Sequence, residues 1–425
     1  YTTLFRSATL FTSLGEYDKA REYLEKALAI KIEIGDRNGE ATSYGNLGTV
    51  FQSLGKYNKA LEYLEKALAI KMDIGDRNGV ARFYGNLGTV FNSLGEYDKA
   101  RQYLEKALAI QIEIGDRNGE ATIYGSLATV FKSLGEYEKA RQYLEKELAI
   151  QVEIGDRNGE ATTYGNLAKV FQSLGEHYKV REYLEKILAI QKEFGNRNGE
   201  ATIYKNLGTL SAWLREYDEA QEYLKKALSI QIEIGDKNEE ATTYGNLAKV
   251  FQSLDQHNKA REYLEKALAI QIEIGDRNGE ATIYGSLGIV FLSLGKYEKA
   301  REYLEKALAI QIEIGIKNEE VTSYGNLGIV FRLLGQYDGA RQYMEKALAI
   351  LIEVGDRDEE AKSYINLGKL FESLGKYDKA REYLEKALAI LIEIGDRNGE
   401  ATMYGSLGMV FQSLEIGRAS CRERV

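Results

Sequence analysis

Apolar and polar positions along this chain recur with a period of forty residues from Ala8 to Leu414. A fixed period of that length marks an array of stacked units, and it governs every local reading. Counting a unit from Ala41 as position 1, the stretch ATSYGNLGTVFQSL sets large or small apolar residues at positions 4, 7, 8, 11 and 14. That spacing is one face of a helix, helix A. The stretch YNKALEYLEKALAIKMDI repeats the spacing through Tyr57, Ala60, Leu64, Ala67 and Leu68 and predicts helix B. Gly55 separates A from B with a residue able to take the left-handed conformation that ends a helix. In GDRNG, between B and the next A, Gly75 closes one helix and Asp76 caps the next. Each helix is roughly 25 Å long at ~1.5 Å per residue. A hairpin of this kind cannot bury its apolar face alone, so it must stack on its neighbours. The predicted fold is all-α, a solenoid of antiparallel helix pairs.

Nine full units run from 41 to 400, preceded by a truncated one (8–40) and followed by the A helix of another (401–414). Residues 1–7 (YTTLFRS) and 415–425 (EIGRASCRERV) fall outside the period and resemble translated adapter DNA, one read as the reverse complement of the other. Both are expected to be foreign to the fold. That removes the single cysteine, Cys421, and makes the reading frame a fragment cut at both ends.

Tyr44, Leu47, Gly48, Phe51, Ala60, Leu64 and Ala67 carry a resemblance. Their order, an aromatic, Leu-Gly, an aromatic, then Ala, a large apolar residue and Ala, resembles the tetratricopeptide repeat. The unit exceeds the usual 34 residues and lacks the closing proline. The forty-residue form with YGNLG and GDRNGE is similar to the arrays of Pins-type G-protein-signalling modulators and of tetratricopeptide repeat protein 28-like proteins. The resemblance implies a right-handed superhelix with A helices lining the inside of the curve.

The helical wheel marks a groove independently. Positions 2, 5, 6, 9, 12 and 13 of helix A point away from 4, 7, 8, 11 and 14. Position 4 is tyrosine in ten units, whereas position 9 is Thr49, Lys169, Ile289 or Met409. Packing restricts the first face and leaves the second free to vary. Position 5 is mostly glycine, at about 1 kcal/mol against alanine in a helix interior. Crowding, space for a partner's backbone, or simple duplication would each explain it; Lys205 and Ile365 show that long side chains fit. At position 6, Asn86, Asn166, Asn206, Asn246 and Asn326 belong to a ladder of amides that is either solvated or able to hydrogen-bond the main chain of an extended peptide. Positions 9 and 12, including Lys169, Gln172, Lys249, Gln252 and Ile289, would then read side chains.

Several departures stand out. In the sixth unit Ser211 replaces the core phenylalanine and Arg215 the turn glycine. Trp213, the only tryptophan, enters on the groove side, either as an aromatic anchor or through local repacking. Lys169, Lys205 and Lys249 are expected to converge there, as solvated charges or as contacts for an acidic or carboxylate-bearing peptide. Toward the C-terminal end Ile289, Leu292 and Ile329 make the groove more apolar. Glu147 stands where helix B otherwise carries a small core residue, and Val180 and Ile187 follow, marking an irregular junction. His177 and His257 replace a tyrosine and read as structural.

Composition then narrows the function. The chain has 425 residues, no proline and 42 glycines, with 44% hydrophobic and 28% charged residues, which excludes a disordered chain. No apolar run approaches the roughly 18 residues needed to cross a bilayer. A net charge of -9 with both signs interspersed offers no footprint for nucleic acid or an anionic membrane. Two histidines and one cysteine leave little for metal or thiol chemistry, and GDRNG lacks the alternating acids of a calcium loop. No nucleotide-binding or hydrolase motif appears. No cofactor and no catalysis are expected. The expectation is a cytoplasmic, non-catalytic scaffold whose partner is a protein or peptide segment, with self-association through the uncapped ends. The alternative is the sensor or regulatory arm of a larger signalling protein or enzyme.

Overall fold

A computed structural model describes residues 17–422, with side chains through Glu415. The head at 1–7, the start of the truncated unit and the Cys421 side chain lie outside the described residues. Every regular element among the described residues is an α-helix, twenty in all, from α1 (Tyr17–Glu33) to α20 (Arg397–Arg422). Even-numbered helices are A helices and odd-numbered ones B helices, and consecutive helices pack on each other from α1 to α9 and from α11 to α20.

The local causes are visible in one unit. Helix α2 (Arg37–Ser53) ends at Gly55 (φ +68°) and α3 (Tyr57–Asp73) at Gly75 (φ +72°), both left-handed. Asp76 then accepts a hydrogen bond from the Gly79 amide at 2.9 Å and caps α4 (Arg77–Ser93). The Arg-Asn-Gly of GDRNG is therefore the first turn of helix A, and only Gly75 and Asp76 connect. Further along, Arg157 explains the rest of the motif: it bonds the buried Glu160 at 2.6 Å and Glu193 at 2.8 Å, joining the start of an A helix to the end of the following B helix. At position 15, where glycine ends seven of the A helices, Arg215 (φ +63°) and Asp255 (φ +60°) adopt the same left-handed backbone.

A and B approach closely because position 8 is small. A Cβ on Gly48 would lie 2.7 Å from Leu64 Cγ and 3.3 Å from the Ala60 carbonyl oxygen. Phe51 stacks on Tyr63 at 5.3 Å between ring centres, and Tyr44 tilts against the same ring at 6.0 Å. Positions 3 and 10 are buried as well, Phe83 and Val90 among them, so an A helix is enclosed on more sides than the wheel assigned. Ser211 is fully buried where other units place the phenyl ring, while Trp213 is 64% exposed.

The chain divides into two compact units, one ending at Ile203 and the other starting at Tyr204. In the first, Leu47, Phe51, Leu64, Phe83 and Leu87 belong to one continuous core. In the second, Phe251, Leu264, Leu287, Phe291 and Leu304 do the same.

Candidate functional site

The amides of position 6 lie at the border between the packed and open sides of helix A. Asn86, Asn166, Asn246 and Asn326 are half-buried and Asn206 is exposed. Among the described residues none of the five spends its side-chain amide on a hydrogen bond within the protein. Their donors and acceptors face outward, held in place by the buried leucine that follows each of them at position 7.

In the second unit the structure gathers four predicted residues around one cavity of about 450 Å³, between α12 (Lys237–Ser253) and α14 (Arg277–Ser293). Asn246, Lys249 and Gln252 approach it from α12 and Ile289 from α14. Asn326 and Ile329 share a second cavity of about 540 Å³, between α16 (Lys317–Leu333) and α18 (Arg357–Ser373). Lys362 in its wall is held by Asp358 and Glu359, each at 2.7 Å, and these partners raise its pKa above the ordinary lysine value.

The other predicted residues are not gathered in either cavity. Asn86, Asn166, Lys169 and Gln172 belong to the first unit, where Lys169 and Gln172 are exposed on α8 (Arg157–Ser173). Trp213 closes α10 (Arg197–Trp213), which also carries Lys205 and Asn206. Lys205 departs from its expected role: its ammonium pairs with Glu239, so its charge is already met within the protein. Lys249 makes no such pair among the described residues. The expected convergence of three cations reduces, in the second unit, to Lys249.

Position 5 separates into two kinds. A Cβ on Gly45 would fall 2.4 Å from the Phe83 ring, and one on Gly85 would lie 3.1 Å from Ile123. At Gly285 and Gly325 it would meet nothing within 4 Å. Crowding by the next A helix therefore accounts for the first pair and not for the second.

One cavity residue escaped the sequence reading. Gln271, only 8% exposed, lines the α12–α14 cavity, and its Oε1 has no hydrogen-bond partner. It holds position 31 of helix B, which looks like one more polar residue on a charged helix. The signal lay in the last two full units, where Leu351 and Leu391 occupy that position and are buried. A third cavity, of about 480 Å³, lies in the first unit among Met72, Val80, Tyr84, Lys106 and Ile110, and holds no predicted residue.

The sequence profile described as tetratricopeptide repeat matches residues 1–73, 79–153, 134–193, 159–233, 199–273, 239–313 and 319–393. No curated protein matches the chain. Among solved structures it is similar to a signal-transduction ATPase with numerous domains and a tetratricopeptide repeat sensor from Pyrococcus horikoshii, at 17% identity and a TM-score of 0.54. That likeness covers 82% of this chain and 54% of the other. BtubC from P. vanneervenii is similar at 22% identity and a TM-score of 0.44, over 53% of this chain and 92% of its own. The apo form of RapI is similar at 18% identity and a TM-score of 0.46, over 65% of this chain and 99% of its own.

Proposed function

The chain belongs to the tetratricopeptide repeat family, and we propose that it is a non-catalytic scaffold holding an extended segment of a partner protein along the open sides of its A helices. The observation that supports this is the amide ladder: half-buried asparagines with fixed backbones and unspent hydrogen-bonding capacity, opening in the second unit onto cavities that also present a cation and apolar side chains. An extended main chain offers an N–H and a C=O at each residue, which is what a row of carboxamides can pair with. Lys249 would take a carboxylate, and Ile289 and Ile329 would meet apolar side chains. Such contacts are spread over several units, and each helix already has its backbone fixed, so binding orders the ligand more than the protein. No helix among the described residues is long and apolar enough to cross a membrane.

The test is a set of peptides selected against the intact chain by display, then measured against a variant carrying Asn246→Ala, Lys249→Ala and Gln252→Ala. Three polar contacts at about 1 kcal/mol each predict a loss of roughly a hundredfold in affinity. Lys106→Ala, on a B helix of the first unit, should leave the same peptides bound. Unchanged affinity in the triple variant, with the fold intact by circular dichroism, would remove the groove from consideration.

A further inference from the structure

Position 27 of helix B is alanine in eight of ten units, and Ala67, Ala107 and Ala227 there are fully buried. In α7 (Tyr137–Ile154) the same position is Glu147, and it is buried too, at 9% exposure. Its carboxyl group lies where three helices of the first unit meet. From α6 (Arg117–Ser133) it faces Gly125, whose missing side chain makes the room: a Cβ there would fall 2.8 Å from Glu147 Oε1. From α8 it faces the fully buried Thr163 hydroxyl. From its own helix Gln151 donates its amide to Oε1 at 3.2 Å.

The pocket is short of donors. Glu147 Oε2, Gln151 Oε1 and Thr163 Oγ1 are all buried, and none accepts a hydrogen bond from a neighbour. No counter-ion is at hand either. Glu120 on α6 and Glu160 on α8 are bonded to Arg117 and Arg157, and Lys146 on α7 lies over the rings of Tyr124 and Tyr143. None of these charges acts on Glu147; burial alone pushes its carboxyl up to about 7, against the opposing pull of Thr163 and Gln151. A neutral carboxylic acid buries no charge and adds an O–H donor to a pocket where the oxygens of Gln151 and Thr163 accept nothing, whereas a carboxylate is a buried charge faced only by the neutral Gln151 and Thr163, with no counter-ion.

We propose that Glu147 makes the junction of α6, α7 and α8 a proton-operated joint: the neutral acid keeps the three helices packed, and ionisation admits water and loosens them. The inference stands on this pocket and does not depend on what the A helices bind. Its direction follows from linkage. When the joint opens, the carboxyl recovers its ordinary value near 4.5, so between that value and about 7 the closed form holds a proton that the open form releases. Closure is therefore favoured at low pH, weakens as pH rises through this window, and levels off above it.

Hydrogen exchange on the intact chain, corrected for the intrinsic pH dependence of exchange, tests this directly. Opening of α7 should increase about tenfold between pH 6 and pH 8, while the helices of the second unit show no matching change. Glu147→Gln, which keeps the shape and cannot ionise, should abolish that response. Glu147→Ala restores the side chain of the other units and should do the same. A response that persists unchanged in both variants would overturn the proposal. So would carbon-detected NMR showing the Glu147 carboxyl titrating near 4.5 in the folded chain.

Discussion

The glycines at position 5 of helix A allow the packing argument to be tested by two substitutions of the same kind with opposite predicted signs. In Gly45→Ala the added methyl would sit 2.4 Å from Phe83 Cε1 and 2.8 Å from Cζ. Phe83 is only 2% exposed and is held in the core by Leu87 and Val90, so its ring has nowhere to retreat. Overpacking of this sort costs about 1–3 kcal/mol, offset by about 1 kcal/mol gained when alanine replaces glycine in a helix. The net expectation is a loss of about 1 kcal/mol. In Gly285→Ala the methyl meets nothing within 4 Å, so only the helix-propensity gain of about 1 kcal/mol remains.

Stacked repeats unfold by neighbourhoods, so a global melting temperature would blur the two effects. Native-state hydrogen exchange resolves them, since 1 kcal/mol changes local protection about fivefold at 25 °C. Amides of α2 and α4 should lose about that much protection in Gly45→Ala, and those of α14 should gain as much in Gly285→Ala. Two changes of the same sign would refute the claim that the neighbouring A helix decides what position 5 can hold. A third result is informative in its own right. If Gly325→Ala, whose methyl likewise meets nothing within 4 Å, leaves the fold at least as stable yet weakens a peptide selected on the α16–α18 cavity that Gly325 lines, the open space at that glycine is used by the ligand's backbone.

Two further substitutions probe the turns. Arg215 holds a left-handed backbone that costs a non-glycine residue about 1–2 kcal/mol, so Arg215→Gly, after the entropic cost of glycine, should stabilise α10 and α11 (Tyr217–Ile234) by about 0.5–1 kcal/mol, read as added amide protection. Ile316 sits where Asp236 and Asp356 cap their helices through the Glu239 and Glu359 amides, at 3.1 and 3.2 Å, and it has no side-chain oxygen to do so. Ile316→Asp should supply that bond to the Glu319 amide and stabilise the first turn of α16 by about 1 kcal/mol; no change in exchange there would show that the turn is already satisfied.

What could be read without coordinates follows from the range of each interaction. Helix A, helix B, the left-handed glycines and the aspartate caps are decided within one turn of chain, and the forty-residue period multiplies that signal tenfold. A helical wheel, however, divides a helix into two faces, and a stacked helix has more: it touches its own partner and the hairpins before and after it. Phe83 and Val90 belong to those extra contacts, which is why positions 3 and 10 were left out of the core. The Lys205–Glu239 pair was invisible for a related reason. A wheel shows where a charge points, whereas its partner lies 34 residues away, on the next A helix.

The same limit explains why the asparagine ladder is more informative in three dimensions than on the wheel. In the wheel it was one of six outward positions, interchangeable with its neighbours. In the structure those positions grade into one another: position 5 touches the following A helix at Gly45 and Gly85, position 9 stands clear at Lys169 and Lys249, and position 6 lies between them. A residue at that border keeps its Cβ fixed by packing while its carboxamide stays outside any internal hydrogen bond. Burying a polar group without a partner is costly, so an amide ladder placed one step further inward would have to be satisfied within the protein, and one placed further outward would lose its fixed direction. Position 6 is the site on helix A where a side chain is both oriented and unspent, and this makes Asn246, which lines one cavity with Lys249 and Gln271, the residue on which the binding proposal rests most heavily.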